Sequence, residues 1–223
     1  MTTPTPDTPH LTVQGHAHLE THPELARIHL TLTARGKDRR TTLNDLTHRN
    51  TTTLDLLKSY GDALEHLETG HLTLTPELTQ RGRTERIRTY HGTIHLTAEL
   101  NDFTTLNELT TRLADHDLTR IDGPTWTLRP TSPHHRQARQ QAVHNAIQRA
   151  REYAEALDTT LAALLDITDT GTETHHPPTP SRTRTLTYGT QTEETPTPLD
   201  LQPQRQHLHA TVNARFTLHP PRL

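Results

Sequence analysis

Apolar and polar residues alternate with a period of two in several stretches of the chain. The clearest is 208–218, where Leu208, Ala210, Val212, Ala214, Phe216 and Leu218 alternate with His209, Thr211, Asn213, Arg215 and Thr217. Successive side chains of an extended strand point to opposite faces, so this pattern predicts a strand with one buried and one solvated face. Residues 26–34 repeat it, with Ala26, Ile28, Leu30, Leu32 and Ala34 inward. So do residues 90–100, through Tyr90, Ile94, Leu96, Ala98 and Leu100, and more weakly 11–19, through Leu11, Val13, Ala17 and Leu19. Shorter strands are predicted at 71–78 and at 121–129, the latter carrying Trp126 and Leu128. The apolar segment 161–168 fits a further short strand, although periodicity alone does not separate it from a buried helix.

Between these stretches the spacing turns helical. Leu43, Leu46, Thr53, Leu54, Leu57 and Tyr60 recur over 38–60, and Gly61 stops the run. Phe103, Leu106, Leu109 and Leu113 form a second stripe over 102–114. A third helix is predicted over 132–157, with Pro133 suited to its first turn. Ala138, Ala142, Ala146, Ile147, Ala150, Tyr153, Ala154 and Leu157 line one side of it, and an alanine-rich stripe lets a helix lie close to its support.

The order along 25–129 reads β-α-β-β-α-β, the split βαβ of a ferredoxin-like core in which two helices cover one sheet face. The expected fold is therefore α+β: a ferredoxin-like core with an extra N-terminal strand, a third long helix and C-terminal strands. Residues 1–10 are expected to be a flexible tail and 11–219 a single domain. Within it, Thr172–Pro198 is rich in Pro and Thr with almost nothing apolar, which predicts a disordered insertion.

Composition narrows the classes. Leu, Ile, Val and Phe make up just over 19% of the 223 residues, low for a lone domain, but a formal charge of only −3 does not fit a disordered chain. With no cysteine there is no disulfide, thiolate metal site or cysteine nucleophile. Near-neutral charge and 3% aromatic residues argue against nucleic-acid binding. No run of about 18 apolar residues occurs, so no transmembrane helix is expected. Residues 1–10 show neither a basic stretch nor an apolar one, so no signal peptide is visible; taking Met1 as the start, the expected location is the cytoplasm. The 46 Thr and 19 His are a bias that a GC-rich genome would produce, which weakens any argument from one Thr or His.

Several motifs follow one another in a familiar order. "LTVQGHAHLETHPELARIHLTLTARGKD" (11–38) has a strand with Gly15, a turn with Pro23-Glu24, then Leu-Ala and a second alternating strand. "LETGHLTLTPEL" (67–78), "RTYHGTIHLTAELNDFTTLNELTTRL" (88–113), "RIDGPTWTLRP" (120–130) and "ARQQAVHNAIQRAREYAEAL" (138–157) come next, and 206–218 closes the series. This ordered set resembles the SIMPL-domain family over about 11–168 and 200–219. The resemblance implies an α+β fold and, in bacterial members, ring-like or channel-like homo-oligomers. Those members are mostly exported, some being immunogenic envelope proteins linked to oxidative-stress tolerance; this chain departs from them in lacking a visible export signal. The resemblance brings no catalytic residue with it.

The remaining candidates for chemistry have plain alternatives. His16-x-His18 and His207-x-His209 each put two imidazoles on one face of a strand, which could supply two zinc ligands. In a chain this rich in His they read as polar-face residues, and no metal is expected. The adjacent pairs His134-His135 and His175-His176 read as solvated. Asp115-His116-Asp117 could orient an imidazole for acid–base work, but a polar turn explains it as well. Arg81, Arg83, Arg86 and Arg88, with Glu85 among them, read as a solvated hairpin tip rather than an anion site. Gly15 and Gly92 lie in strands, where a bulge or close backbone approach is the usual reason, and Trp126 reads as core. No GxSxG, HExxH, GxGxxG or Walker A motif is present. The expectation is a non-enzymatic, self-associating SIMPL-type protein with a structural or scaffold role, without cofactor, its family suggesting a tie to stress. The alternative is a small-molecule or metal-binding module on the His-rich sheet face, or an unrecognised hydrolase.

Overall fold

The computed structural model describes residues 5–79, 86–175 and 201–221. They form an α+β protein with two antiparallel sheets and three helices. In chain order the elements are β1 (His10–Thr21), β2 (Leu25–Gly36), α1 (Arg39–Lys58), a 3-10 turn at Gly61–Ala63, β3 (Leu64–Thr79) and β4 (Arg86–Leu100). There follow α2 (Phe103–Ala114), β5 (Thr119–Thr127), α3 (Pro133–Ala156), β6 (Leu161–His175) and β7 (Gln206–Leu218). They gather in two compact units, one built on β1, α3, β6 and β7, the other on β2 to β5 with α1 and α2.

The second unit is a four-stranded sheet in the order β3-β4-β2-β5, each strand antiparallel to its neighbour. The inward sets of β2 and β4 pair across the ladder, Ile28 with Ala98, Leu30 with Leu96 and Leu32 with Ile94. They share one buried cluster with Leu46 and Leu57 of α1 and Leu106, Leu109 and Leu113 of α2. Trp126 belongs to that cluster, edge-to-face on Phe103 with ring centroids 4.8 Å apart. Both helices start at an aspartate that takes the orphan backbone donors of the first turn. Asp38 accepts from Thr41 N at 2.9 Å and Asp102 from Thr104 N at 2.9 Å. These hydrogen bonds hold both carboxyls below the ordinary aspartate range; for Asp38 the Thr41 amide is the largest cause, for Asp102 the Thr105 hydroxyl.

The first unit is a three-stranded sheet in the order β1-β7-β6. Helix α3 buries Ala138, Ala142, Ala146, Ala150 and Ala154, a repeat of four that tracks one helix face. Ser132 caps it and Pro133 takes the first turn, where its missing N–H is no loss.

The structure departs from the sequence-based expectations at several points. β3 starts at Leu64 rather than 71, because its ladder with β4 continues to Leu64 opposite Leu100 although residues 65–70 carry little apolar pattern. β6 runs to His175 rather than 168, since β7 offers a partner along that length, so 172–175 of the expected insertion are strand. The rest of the expected insertion, 176–198, lies outside the described residues. Leu43, Tyr153 and Leu157 are exposed, because the buried faces of α1 and α3 are narrower than the apolar sets assigned to them.

Candidate functional site

Pairing β1 with β7 decides where the first two histidine pairs go. The register sets His18 opposite His209, Glu20 opposite His207 and His16 opposite Thr211, all on the face away from α3. His18 and His209 touch edge-to-face, ring centroids 4.1 Å apart. His16 Nδ1 and Thr211 Oγ1 share a hydrogen bond of 3.3 Å, and Arg205 meets Glu20 at 3.1 Å. Side chains on one face of a sheet project side by side rather than toward one centre. Among the described residues no group of three or more His, Asp or Glu is placed to hold a metal ion.

The open face of the four-stranded sheet is a ladder of polar cross-strand pairs. Arg27 binds Glu99 at 2.6 Å, His29 shares a hydrogen bond with Thr97 at 3.1 Å, and Thr31 one with His95 at 3.2 Å. Arg35 pairs with Glu77, whose carboxylate also accepts from the Thr89 hydroxyl at 2.6 Å. That hydroxyl, then Arg35, holds Glu77 below its ordinary range. Such exposed pairs add little stability each and fix register more than they drive folding.

On β3, His66 Nε2 meets Glu68 at 2.7 Å, and this hydrogen bond raises the imidazole's pKa while lowering the carboxylate's. Its small stabilising effect is complete below the unfolded His pKa and is lost as pH rises through the raised, folded one. Glu68→Gln should therefore move the His66 midpoint down toward 6.5, read by NMR titration of the imidazole protons. An unmoved midpoint would mean that the hydrogen bond does not form in solution.

Asp115-His116-Asp117 sits beside α1. Asp45, His48 and Arg49 of that helix face His116, Asp117 and Thr119 across a cleft of about 280 Å³. Arg49 Nη1 donates to the carbonyl oxygen of Asp117 at 2.7 Å, tying the turn to the helix. No carboxylate there is bonded to either imidazole, so nothing fixes the tautomer that a general base requires. Sequence reasoning missed the α1 half, although Asp45 and His48 lie three apart, on one helix face.

His134 and His135 correct another expectation. Both are half-buried rather than solvated, because the capped start of α3 packs beside β1. His134 Nε2 pairs with the Thr21 hydroxyl at 3.1 Å, and His135 Nε2 lies 3.2 Å from the carbonyl of Arg129. Of the other candidates, His176, Arg81, Arg83 and Glu85 lie outside the described residues; His175 ends β6, Arg86 opens β4 and Arg88 is exposed.

The two edges of the three-stranded sheet differ in kind. β1 leaves carbonyls that no strand takes, and α3 covers two of them: Asn145 Nδ2 donates to His16 O at 2.6 Å and Arg149 Nη1 to Gln14 O at 2.7 Å. β6, at the other edge, exposes large apolar side chains, Leu164 at 53% and Ile167 at 45%. An apolar edge strand is the feature that proteins otherwise blunt to avoid pairing with another chain.

The chain matches, over residues 11–216, the model of the SIMPL family, described as a protein of unknown function (DUF541). It belongs to the SIMPL family. No curated protein matches it in sequence. In this SIMPL protein the strand glycine Gly15 lies beneath α3. A Cβ there would fall on the carbonyl oxygen of Ala142 and within 2.6 Å of Ala146 N. The alanine and arginine content of the 138–157 segment divides by face: the alanines let α3 down onto the sheet, and Arg149 reaches over the β1 edge.

Proposed function

We propose that this SIMPL protein is a non-enzymatic, self-associating protein with a structural or scaffold role. The observation that carries the reading is the β6 edge, whose exposed Leu164 and Ile167 lie in the same sheet as a β1 edge capped by α3. A lone domain gains nothing from such a strand, whereas an assembly buries it. The low share of large apolar residues supports the same reading, since contacts between copies add stability that a small core does not supply. The sheet order β3-β4-β2-β5, with α1 and α2 on one face, supports a ferredoxin-like core as the scaffold's rigid part.

Size-exclusion chromatography with light scattering tests the reading at micromolar concentration and at pH 7.5 and 6. The expected mass is a multiple of 25.3 kDa. The chain carries 19 His, the side-chain type whose charge is most sensitive to mild acid, so the distribution of masses should shift between the two pH values. A mass of 25.3 kDa at every concentration and pH would overturn self-association.

A further inference from the structure

The β3–β4 hairpin outruns the sheet to which it belongs. Strand β2 makes its last pair with β4 at Gly36 and Tyr90, whereas β3 continues through Glu77 opposite Thr89, Leu78 opposite Ile87 and Thr79 opposite Arg86. The cover of α1 stops in the same region. Its first turn lies over the last pairs of β2, since a Cβ on Gly36 would fall 2.6 Å from Thr42 Oγ1 and one on Gly92 3.6 Å from Thr42 Cγ2. From there the helix runs back along the sheet toward Leu64, so the strands beyond Tyr90 extend past its start.

The hairpin end that the sequence reads as merely solvated is amphipathic. Pro76 and Leu78 follow Leu74 at every second position of β3 and share its face, the one that α1 covers further in. On β4 a bulge at Arg88 adds one residue, which turns Ile87 onto that face opposite Leu78. Without it, the alternation running from Ile94 through Tyr90 would put Ile87 on the other side. Leu78 is 49% and Ile87 52% exposed, and Tyr90, half-buried, stands between them and the helix. A two-stranded ribbon gains little from two large apolar side chains held in water.

Cations surround the base of this arm. Lys37, Arg39 and Arg40 follow the end of β2, Arg88 occupies the bulge, and all four are exposed. None of them forms an ion pair among the described residues. The acidic groups nearby are already engaged, Asp38 by the Thr41 amide and hydroxyl, Glu77 by Arg35 and Thr89. Arg39 and Arg40 also open α1, whose first turn holds no acidic residue although a helix start favours negative charge. A chain of formal charge −3 thus gathers four unpaired cations beside its exposed Leu78 and Ile87.

We propose that this arm docks the protein on an anionic lipid bilayer, Leu78 and Ile87 entering the interface while Lys37, Arg39, Arg40 and Arg88 meet the headgroup phosphates. Exposed apolar residues framed by cations are the chemistry of interfacial membrane binding, in which apolar area and attraction to anionic lipid add. Tyr90, behind the two aliphatic residues, falls where an amphipathic ring sits at headgroup level. The shape favours a bilayer over a folded partner, because the arm projects past the sheet and a fluid surface needs no groove to receive it. The inference does not depend on self-association, which rests on the β6 edge of the other unit.

Co-sedimentation with sucrose-loaded vesicles tests it, using phosphatidylcholine alone and phosphatidylcholine mixed with phosphatidylglycerol. The natural chain should bind the mixed vesicles at least about tenfold more tightly than the neutral ones, and the preference should fade in high salt. Leu78→Ser with Ile87→Ser, and separately Arg39→Gln with Arg40→Gln, should each weaken binding about tenfold. Arg136→Gln with Arg139→Gln, exposed cations of α3, should leave it unchanged. Far-UV circular dichroism and light scattering follow the fold and mass of every variant. Leu78→Trp should add an indole that chain-brominated lipid quenches, whereas the buried Trp126 of the natural chain stays bright. Equal binding to neutral and mixed vesicles, or none to either, overturns the proposal. So does a loss in the α3 variant as large as in the arm variants, which would mean attraction by overall charge. Competition by free glycerol 3-phosphate would point to a small-anion site. Capture by poly-glutamate without binding to vesicles would point to an acidic protein partner. A changed mass of the Leu78 and Ile87 variant with unchanged vesicle binding would point to a contact between copies. Each of these three also overturns docking on lipid.

Discussion

Gly15→Val should unfold the three-stranded unit or lower its melting temperature by roughly 10 °C or more. Overpacking a core usually costs about 1–3 kcal/mol because neighbouring side chains can shift. Here the obstacles are backbone atoms, the carbonyl oxygen of Ala142 and the amide nitrogen of Ala146, the latter 2.6 Å from the position a Cβ would take. Both belong to the middle of a 24-residue helix whose hydrogen-bonded ladder cannot yield at one residue. The helix must lift from β1, and its buried alanines then lose the contact that their small size exists to allow. Lifting also withdraws Asn145 and Arg149 from the β1 carbonyls. Gln14→Val, next in sequence but on the exposed face, should stay within about 0.5 kcal/mol. Thermal melts followed by far-UV circular dichroism compare the two, and equal melting temperatures would contradict the close approach of α3.

What the sequence made legible follows from burial. β2, β4 and β7 show clean alternation because each has two neighbours in its sheet and one face under helices, so every second residue is excluded from water. β3 and β6 are edge strands with mostly exposed side chains, and their full length comes from backbone pairing with β4 and β7 rather than from any apolar pattern. Register was beyond reach for the same reason. Nothing in the spacing of His16, His18, His207 and His209 says that His18 will face His209; that follows from the pairing of the two strands, which are far apart in the chain. The alanine stripe of α3 was legible, but its four-residue repeat buries one narrow line, leaving Tyr153 and Leu157 outside. The two edges of the three-stranded sheet, which carry the functional reading, could be told apart only once α3 was placed over β1.

Leu30→Ala should cost the four-stranded unit about 2–5 kcal/mol. Leu30 is fully buried at the centre of β2, opposite Leu96 on β4 and Ile121 on β5, in the cluster that holds Leu46 and Leu106. Truncation removes three methyl or methylene carbons' worth of buried contact and leaves a void that two flanking strands and two helices cannot fill without shifting as rigid elements. Domains of this kind are stable by only about 5–15 kcal/mol in total, and a chain this poor in large apolar residues has few others to take up the loss. Trp126, the chain's one tryptophan, lies in the same cluster against Phe103, so its emission follows this unit as it opens. In urea the midpoint should fall by roughly 1–3 M for the slope typical of a small domain. Leu72→Ala on the outer strand β3, where the side chain is 52% exposed, should barely move it. Equal midpoints for the two variants would mean that β2 does not sit at the centre of the core, and the layered arrangement of sheet and helices would have to be abandoned.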